Sequence, residues 1–461
     1  MKRNKKKNKK VGIISLGCPK NTVDSERILG ELHALGWEIT SDKWKADCLI
    51  VNTCGFIKEA ITESEEALAE ICEVKAKKPD VILVATGCLP QRIPRILGKR
   101  FPQLDLIVGV GRIEKLPALI ESKISGKETL EIQGNELETP GRATLSPHYA
   151  PRLRITPPWT AYMKIAEGCS HECAFCTIPS IKGPYISRPP DDLIIEAENL
   201  ASEGVKELIL VSQDTTAYGS DIGTNLRTLL KELDQLEGIK WIRLHYLYPS
   251  KISEGLIELI ANSKHLIPYF DAPLQHVSPK ILKLMRRLDP EIDALSLVNR
   301  IRRAFANTHL PACIRSTFIV GFPGETEEDF QMLMDFLSEA MLDRVSVFEF
   351  SSEDGTAAAT MPDEVPKHIT ESRFHRLMEI QHDISQEINE GWIGRTTEVL
   401  IEGTTEDGML AARSYRDAPE IDGLVLITGA PESVEGGTFA LVRITEALPY
   451  DLKAEWLEPL E

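Results

Sequence analysis

Between residues 155 and 386 six short apolar runs alternate with stretches of helical period, and this alternation constrains the fold more than any other feature of the chain. The strand candidates are 161–166, 208–212, 241–246, 269–271, 313–320 and 345–350, and helical candidates such as 193–203, 226–235 and 327–339 fall between them. Parallel strands need a crossover of about a dozen residues, usually a helix, so consecutive strand–helix units imply a parallel sheet. Six units of this size predict an open or partial (β/α) barrel over 159–390.

The flanking blocks read differently. Residues 11–145 repeat the alternation on a smaller scale, with apolar runs at 11–16, 48–51, 81–85 and 104–108 and helical stretches at 25–35 and 63–75, the pattern of a small doubly wound α/β domain. Five prolines lie between Pro140 and Pro158, which neither a helix nor a central strand tolerates, so 146–158 reads as a linker. A long helix over 367–389 ends near Gly391 and Gly394. Over 391–461, β-prone runs at 398–401, 424–428 and 439–444 are punctuated by Asp407-Gly408, Asp422-Gly423 and Gly436-Gly437, which predicts a small antiparallel β-barrel of the OB type.

Charge narrows the partners. The net charge of −17 conceals a basic tail, residues 1–10, with seven Lys/Arg and no acid; the remainder carries 46 basic and 70 acidic side chains. A body that acidic suits a basic partner better than a polyphosphate. No apolar run approaches the roughly 20 residues a membrane span needs. The tail followed by Val-Gly-Ile-Ile-Ser-Leu-Gly-Cys imitates a lipoprotein signal ending at Cys18, but the apolar piece 11–17 is short and Pro19-Lys20-Asn21 follows at once, so a cytoplasmic protein is expected. Nine cysteines spread over 461 residues point to metal or catalysis rather than disulfides.

The sharpest motif is Glu167-Gly168-Cys169-Ser170-His171-Glu172-Cys173-Ala174-Phe175-Cys176, a CxxxCxxC directly after the first strand candidate of the larger barrel. Three thiolates on one loop can hold three irons of a 4Fe-4S cube and leave the fourth open to chelate the amino and carboxylate groups of S-adenosylmethionine. Zinc is the competing reading, with His171 as a further donor within the loop, although three ligands without a fourth suit a closed structural site poorly. A second set, Cys18, Cys54 and Cys88, is scattered, but each member follows a strand candidate, so a parallel sheet gathers all three at its carboxyl edge. By themselves three scattered cysteines favour a structural reading, and their shared placement after strands reverses it. Cys48, Cys72 and Cys313 lie within strand or helix candidates and read as buried small hydrophobes.

The cysteine loop, with Phe175 just before its third cysteine, resembles the signature of radical S-adenosylmethionine enzymes, in which that aromatic contacts the adenine. Ile319-Val320-Gly321-Phe322-Pro323-Gly324-Glu325-Thr326 resembles the later glycine element that packs against the cofactor. Cys18, Cys54 and Cys88 match one for one the N-terminal domain of the methylthiotransferases in that superfamily, and the small barrel matches the domain called TRAM. The resemblance covers nearly the whole chain. It implies two 4Fe-4S clusters, one on Cys169, Cys173 and Cys176 and an auxiliary one on Cys18, Cys54 and Cys88, with cofactor contacts at Phe175, Ser212, Gln213, Gly321, Phe322, Gly324 and Glu325. It further implies radical cleavage of S-adenosylmethionine, methylthio delivery from the auxiliary centre, an electron donor and a sulfur source. No separate protein acid or base is demanded.

Within that family, Ser15-Leu16-Gly17-Cys18-Pro19-Lys20-Asn21, Val211-Ser212-Gln213-Asp214-Thr215-Thr216-Ala217-Tyr218-Gly219 and Pro273-Leu274-Gln275-His276 resemble the branch acting on an aspartate of ribosomal protein S-twelve. The branch acting on tRNA adenosine typically has asparagines where Asp214 and Thr216 stand. Residues 392–461 hold five Lys/Arg against fourteen Asp/Glu, which favours a basic ribosomal protein and disfavours tRNA. Modification of tRNA is the alternative within the family, and a non-catalytic iron–sulfur or zinc scaffold that binds ribosomes is the alternative outside it.

Overall fold

The computed structural model describes residues 9–125, 151–287 and 293–460. Its first sheet contains β1 (Lys10–Ser15), β2 (Glu38–Ile39), β3 (Cys48–Thr53), β4 (Ile82–Gly87) and β5 (Leu106–Gly109), all parallel, in the order β2-β1-β3-β4-β5. Helix Pro19–Ala34 packs Ile28, Leu29 and Leu32 on one face, and helix Lys58–Lys77 packs Leu68, Ile71 and Val74 on the other. Central strands covered on both sides are apolar nearly throughout, as β3 and β4 are. The strand order reverses between β1 and β3, the kind of switch point at which open α/β sheets hold ligands.

The first helix starts at Pro19, whereas its hydrophobic pattern suggested residue 25. Proline is pre-organised for the first helical turn. The polar residues Lys20, Asn21, Asp24, Glu26 and Arg27 disguised that turn because they are buried against other parts of the molecule rather than solvated.

The second sheet is open and parallel, in the order β13-β12-β11-β10-β9-β6, which makes the expected partial barrel. Its members are β6 (Thr160–Lys164), β9 (Glu207–Val211), β10 (Trp241–Leu244), β11 (Leu266–Asp271), β12 (Cys313–Val320) and β13 (Arg344–Glu349). A small antiparallel ribbon of β7 (Ala166–Glu167) and β8 (Ile186–Ser187) brackets the cysteine loop. Helix Glu327–Ala340 starts in a reciprocal capping box between Thr326 and Asp329, and Lys367–Glu390 packs its Leu377 and Ile384 into the large core.

The C-terminal strands β14 (Thr396–Thr404), β15 (Leu410–Ser414), β16 (Val425–Thr428), β17 (Phe439–Ala447) and β18 (Leu452–Leu460) close into a barrel. One pairing, β16 with β18, is parallel, so the barrel is not wholly antiparallel as its turns suggested. The barrel shares a core with Trp241, Ile267, Tyr269 and Cys313, at or near the amino ends of β10–β12. Buried ion pairs reinforce this junction: Glu207 with Arg243 and Arg413, and Arg344 with Asp417.

Residues 146–150 of the expected linker lie outside the described residues. Its described part, 151–158, is fastened through Arg152 to Glu26 and Glu196. Among the described residues no helix is long and apolar enough to cross a membrane.

Candidate active site

Local geometry explains how three distant cysteines meet. Cys18 follows Gly17, which turns the chain at φ +88 after β1; Cys54 directly follows β3; Cys88 follows Gly87, at φ +96, and opens the short helix Cys88–Arg92. The approach is close enough that a Cβ on Gly17 would stand 2.9 Å from Cβ of Cys54, and one on Gly55 would stand 2.9 Å from the carbonyl carbon of Cys88. Asn21 staples the edge, its Nδ2 donating to the carbonyls of Leu16 and Thr53, both at 3.0 Å. Burial pushes the Cys88 thiol up to about 12 and raises that of Cys54.

The second set sits at the carboxyl end of the other sheet. The ribbon β7–β8 anchors the loop, the Cys169 amide donates to the Gly183 carbonyl at 3.1 Å, and the Ala174 amide donates to Met285 at 2.9 Å. Burial raises the thiols of Cys169 and Cys176 to about 11 and about 12. Arg287 lies over Cys173, with Nη1 3.8 Å from its sulfur.

His171 does not join these cysteines. Its Nε2 is 2.7 Å from Asp214 and its ring stacks on Tyr248 at 4.0 Å between centroids. Among the described residues, no three His, Cys, Asp or Glu side chains close around a single ion. Each set offers three thiols and no histidine, the donor number that ligates three irons of a 4Fe-4S cube, so both suit iron–sulfur ligation.

The other anticipated cofactor residues flank the loop. Phe175 meets Phe322 edge-on, with centroids 6.5 Å apart. Ser212 and Gln213 follow β9, and Gln213 Nε2 donates to Glu167 at 2.8 Å. Gly321, at φ +76, and Gly324, at φ +84, shape the turn after β12. Glu325 is buried and fully engaged, accepting from the Gly321 amide and from Arg373 at 3.1 Å, with His276 at 3.3 Å, so it orders this turn rather than standing open to a ligand. Cys48 and Cys313 are buried as expected, whereas Cys72 is only partly covered.

The two carboxyl edges face each other. Lys20 lies over the Tyr246 ring at 3.6 Å and donates to the Ser212 carbonyl at 3.4 Å. Arg92 pairs with Glu353 at 2.9 Å, and Glu353 also accepts from the Lys58 amide. Beneath them Asp24 of the first helix meets Lys164, which donates to Glu167 at 2.7 Å. Burial opposes ionisation of Glu167, but Lys164 and Lys182 hold it well below the usual carboxylate range. Sequence reasoning assigned no role to Lys164, Lys182, Tyr246 or Arg287. Their one signal was a basic or aromatic side chain close to a strand end or to a cysteine.

Comparisons with known proteins agree with this architecture. Family models match at residues 10–109 (an uncharacterized protein family, UPF0004), at 163–337 (the radical SAM superfamily) and at 393–457 (the TRAM domain). The chain is 44% identical to the ribosomal protein uS12 methylthiotransferase RimO of Pelobacter propionicus, over 97% of each chain. It is likewise 44% identical to the protein of that name from Thermoanaerobacter sp., over 97% of this chain and all of the relative. Among solved structures, the radical S-adenosylmethionine methyltransferase TsrM of Kitasatospora setae shares the fold, with a TM-score of 0.56, 14% identity and coverage of 76% of this chain and 74% of that one.

Proposed function

Because the chain belongs to the RimO family of ribosomal protein uS12 methylthiotransferases, we propose that it adds a methylthio group to the β-carbon of an aspartate of that protein, using S-adenosylmethionine and two 4Fe-4S clusters. The observation that carries the reading is that two cysteine triads open onto one interface between two sheet edges. A C–H bond at an unactivated carbon lies beyond the reach of any side-chain base, so the hard step belongs to cofactors and the protein binds, orients and shields. When bound, the iron–sulfur groups supply the electron that cleaves S-adenosylmethionine and the sulfur that is transferred.

Cys169, Cys173 and Cys176 would hold the first group, and Cys18, Cys54 and Cys88 the second. Phe175 and Phe322 form an apolar wall for an adenine, and the turn through Gly321 and Gly324, whose φ values suit glycine, would border the cofactor beside it. Ser212 and Gln213 border the same space, and Gln213 is steadied by Glu167. Tyr246 and Lys20 meet where the two edges come together. An electron donor and a sulfur source are partners the reaction needs.

The test is anaerobic reconstitution with iron and sulfide, followed by assay of 5′-deoxyadenosine and mass spectrometry of uS12 and total tRNA. Methylthio-aspartate in uS12 and unmodified tRNA are expected. Modified tRNA with unmodified uS12 would place the chain in the other branch, and absent 5′-deoxyadenosine would favour a non-catalytic scaffold.

A further inference from the structure

Lys182 ends the short helix Ile178–Lys182, six residues beyond Cys176, and is only 2% exposed. Its ammonium makes no hydrogen bond. The carboxylate oxygens beside it, Glu167 Oε1 at 3.4 Å and Asp24 Oδ2 at 3.9 Å, are at ion-pair range. Lys164 donates to both of those residues and satisfies them better. Two lysines thus face two carboxylates, and the group is neutral before any thiolate forms. A buried ammonium retaining unused donors is costly unless further negative charge meets it.

Cys88 and Cys18, once deprotonated by ligation, would supply that charge. Ile181, the neighbour of Lys182, packs against Cys88 in one small apolar cluster, and the helix that Cys88 opens rests on the helix that Lys182 closes. Burial acts to lower the Lys182 pKa, but Glu167, then Cys88, Asp24 and Cys18, raise it above that of an ordinary lysine. We propose that Lys182 is a positioning residue of the auxiliary centre, donating to sulfur at the Cys18–Cys54–Cys88 site and holding an anionic sulfur ligand of the sulfide or thiolate class there. The proposal rests on the reading that these cysteines carry an iron–sulfur group. Lys182 also pairs with Glu167, two residues before Cys169, so one buried ion group links the base of the cysteine loop to the helix that packs against Cys88.

The experiment uses the full chain carrying Cys169→Ala, Cys173→Ala and Cys176→Ala, reconstituted anaerobically so that only the auxiliary site holds a cluster. Iron content, the midpoint potential and the spectroscopically titrated affinity for methanethiolate are measured with Lys182 intact and in K182M, K182Q and K182R. Removing the cation is expected to shift the potential negative and to weaken methanethiolate binding about tenfold, and K182R is expected to restore both. An unchanged potential and affinity in K182M or K182Q overturns the proposal. So does lost iron with an unmoved potential in the iron retained, because that is the signature of a purely structural lysine. If K182M or K182Q fails to fold, K182R against the intact chain decides, and failure of K182R to support methanethiolate binding overturns it as well. Absence of iron from the chain with Lys182 intact instead removes the auxiliary-centre reading, and the proposal falls with it.

Discussion

The two cysteine triads reach similar surroundings by opposite routes. Cys169, Cys173 and Cys176 share one loop, bracketed by a two-stranded ribbon, and their proximity is encoded in eight consecutive residues. Cys18, Cys54 and Cys88 span 71 positions and meet only because β1, β3 and β4 are parallel neighbours whose carboxyl ends coincide. One site is therefore local and tolerant of its scaffold, whereas the other exists only once the sheet has formed. The comparison teaches that a ligand set can be a property of spacing or a property of topology, and that the two should fail differently.

The largest effect should separate the triads by chemistry. Alanine at any one of Cys169, Cys173 or Cys176 is expected to abolish 5′-deoxyadenosine production, because the site-differentiated iron is lost; full retention in all three variants would break the comparison at its first member. Alanine at Cys18, Cys54 or Cys88 is expected to spare that cleavage, to lower iron per chain and to stop methylthio transfer. Iron analysis beside mass spectrometry of uS12 checks it, and unchanged iron would return these three cysteines to a structural role.

The same contrast explains what was legible in the sequence. The loop could be read as a motif, and the scattered triad could be read once each cysteine was seen to follow a strand candidate. Strand 313–320 was bounded correctly because β-branched and aromatic residues (Ile314, Thr317, Phe318, Ile319, Val320) outweigh its single charge, Arg315. Strands β15 and β18 were missed because Ala411-Ala412-Arg413-Ser414 and Lys453-Ala454-Glu455-Trp456 carry charges inside the pattern, and Arg413 earns its buried place only through Glu207 and Glu402, contacts no local window contains. For the same reason the polar start of the first helix and the Asp24–Lys164–Glu167–Lys182 group were invisible. Buried charges look like surface until their partners are known.

A smaller effect should sharpen the difference between local and topological assembly. A methyl on Gly55 would stand 2.8 Å from the Leu89 amide nitrogen, forcing apart the ends of β3 and β4, whereas a methyl on Gly168 would strike the Pro184 carbonyl beside the cysteine loop. Each alanine should cost about 1–3 kcal/mol by overpacking. Gly55→Ala should lower auxiliary iron and spare S-adenosylmethionine cleavage, and Gly168→Ala should do the reverse. Thermal melts with iron counts on each variant provide the check, and identical losses in both would erase the distinction.

The smallest effect concerns a region remote from both triads. The C-terminal barrel packs at the amino ends of the second sheet, and the Cys169 loop leaves the opposite ends; strands of five or six residues put about 15–20 Å between them. Its acids are not all available to a partner. Asp417 is buried against Arg344, and Glu402 is paired with Arg413, so reversing either would damage the domain junction instead of probing recognition. Arg413 and Arg416 are buried as well, so the excess of acid at the surface persists, with Glu406, Asp407, Glu432 and Glu435 among the exposed groups. Complementary charge mainly speeds encounter and fades with salt. Replacing these four acids by lysine should slow uS12 modification several-fold at low ionic strength, and by less as salt rises, with 5′-deoxyadenosine production unchanged. Equal rates at every salt concentration would mean that this barrel does not guide the basic substrate, and reduced cleavage would mean that its acids act on the distant triad, which the intervening sheet gives them no contact to do.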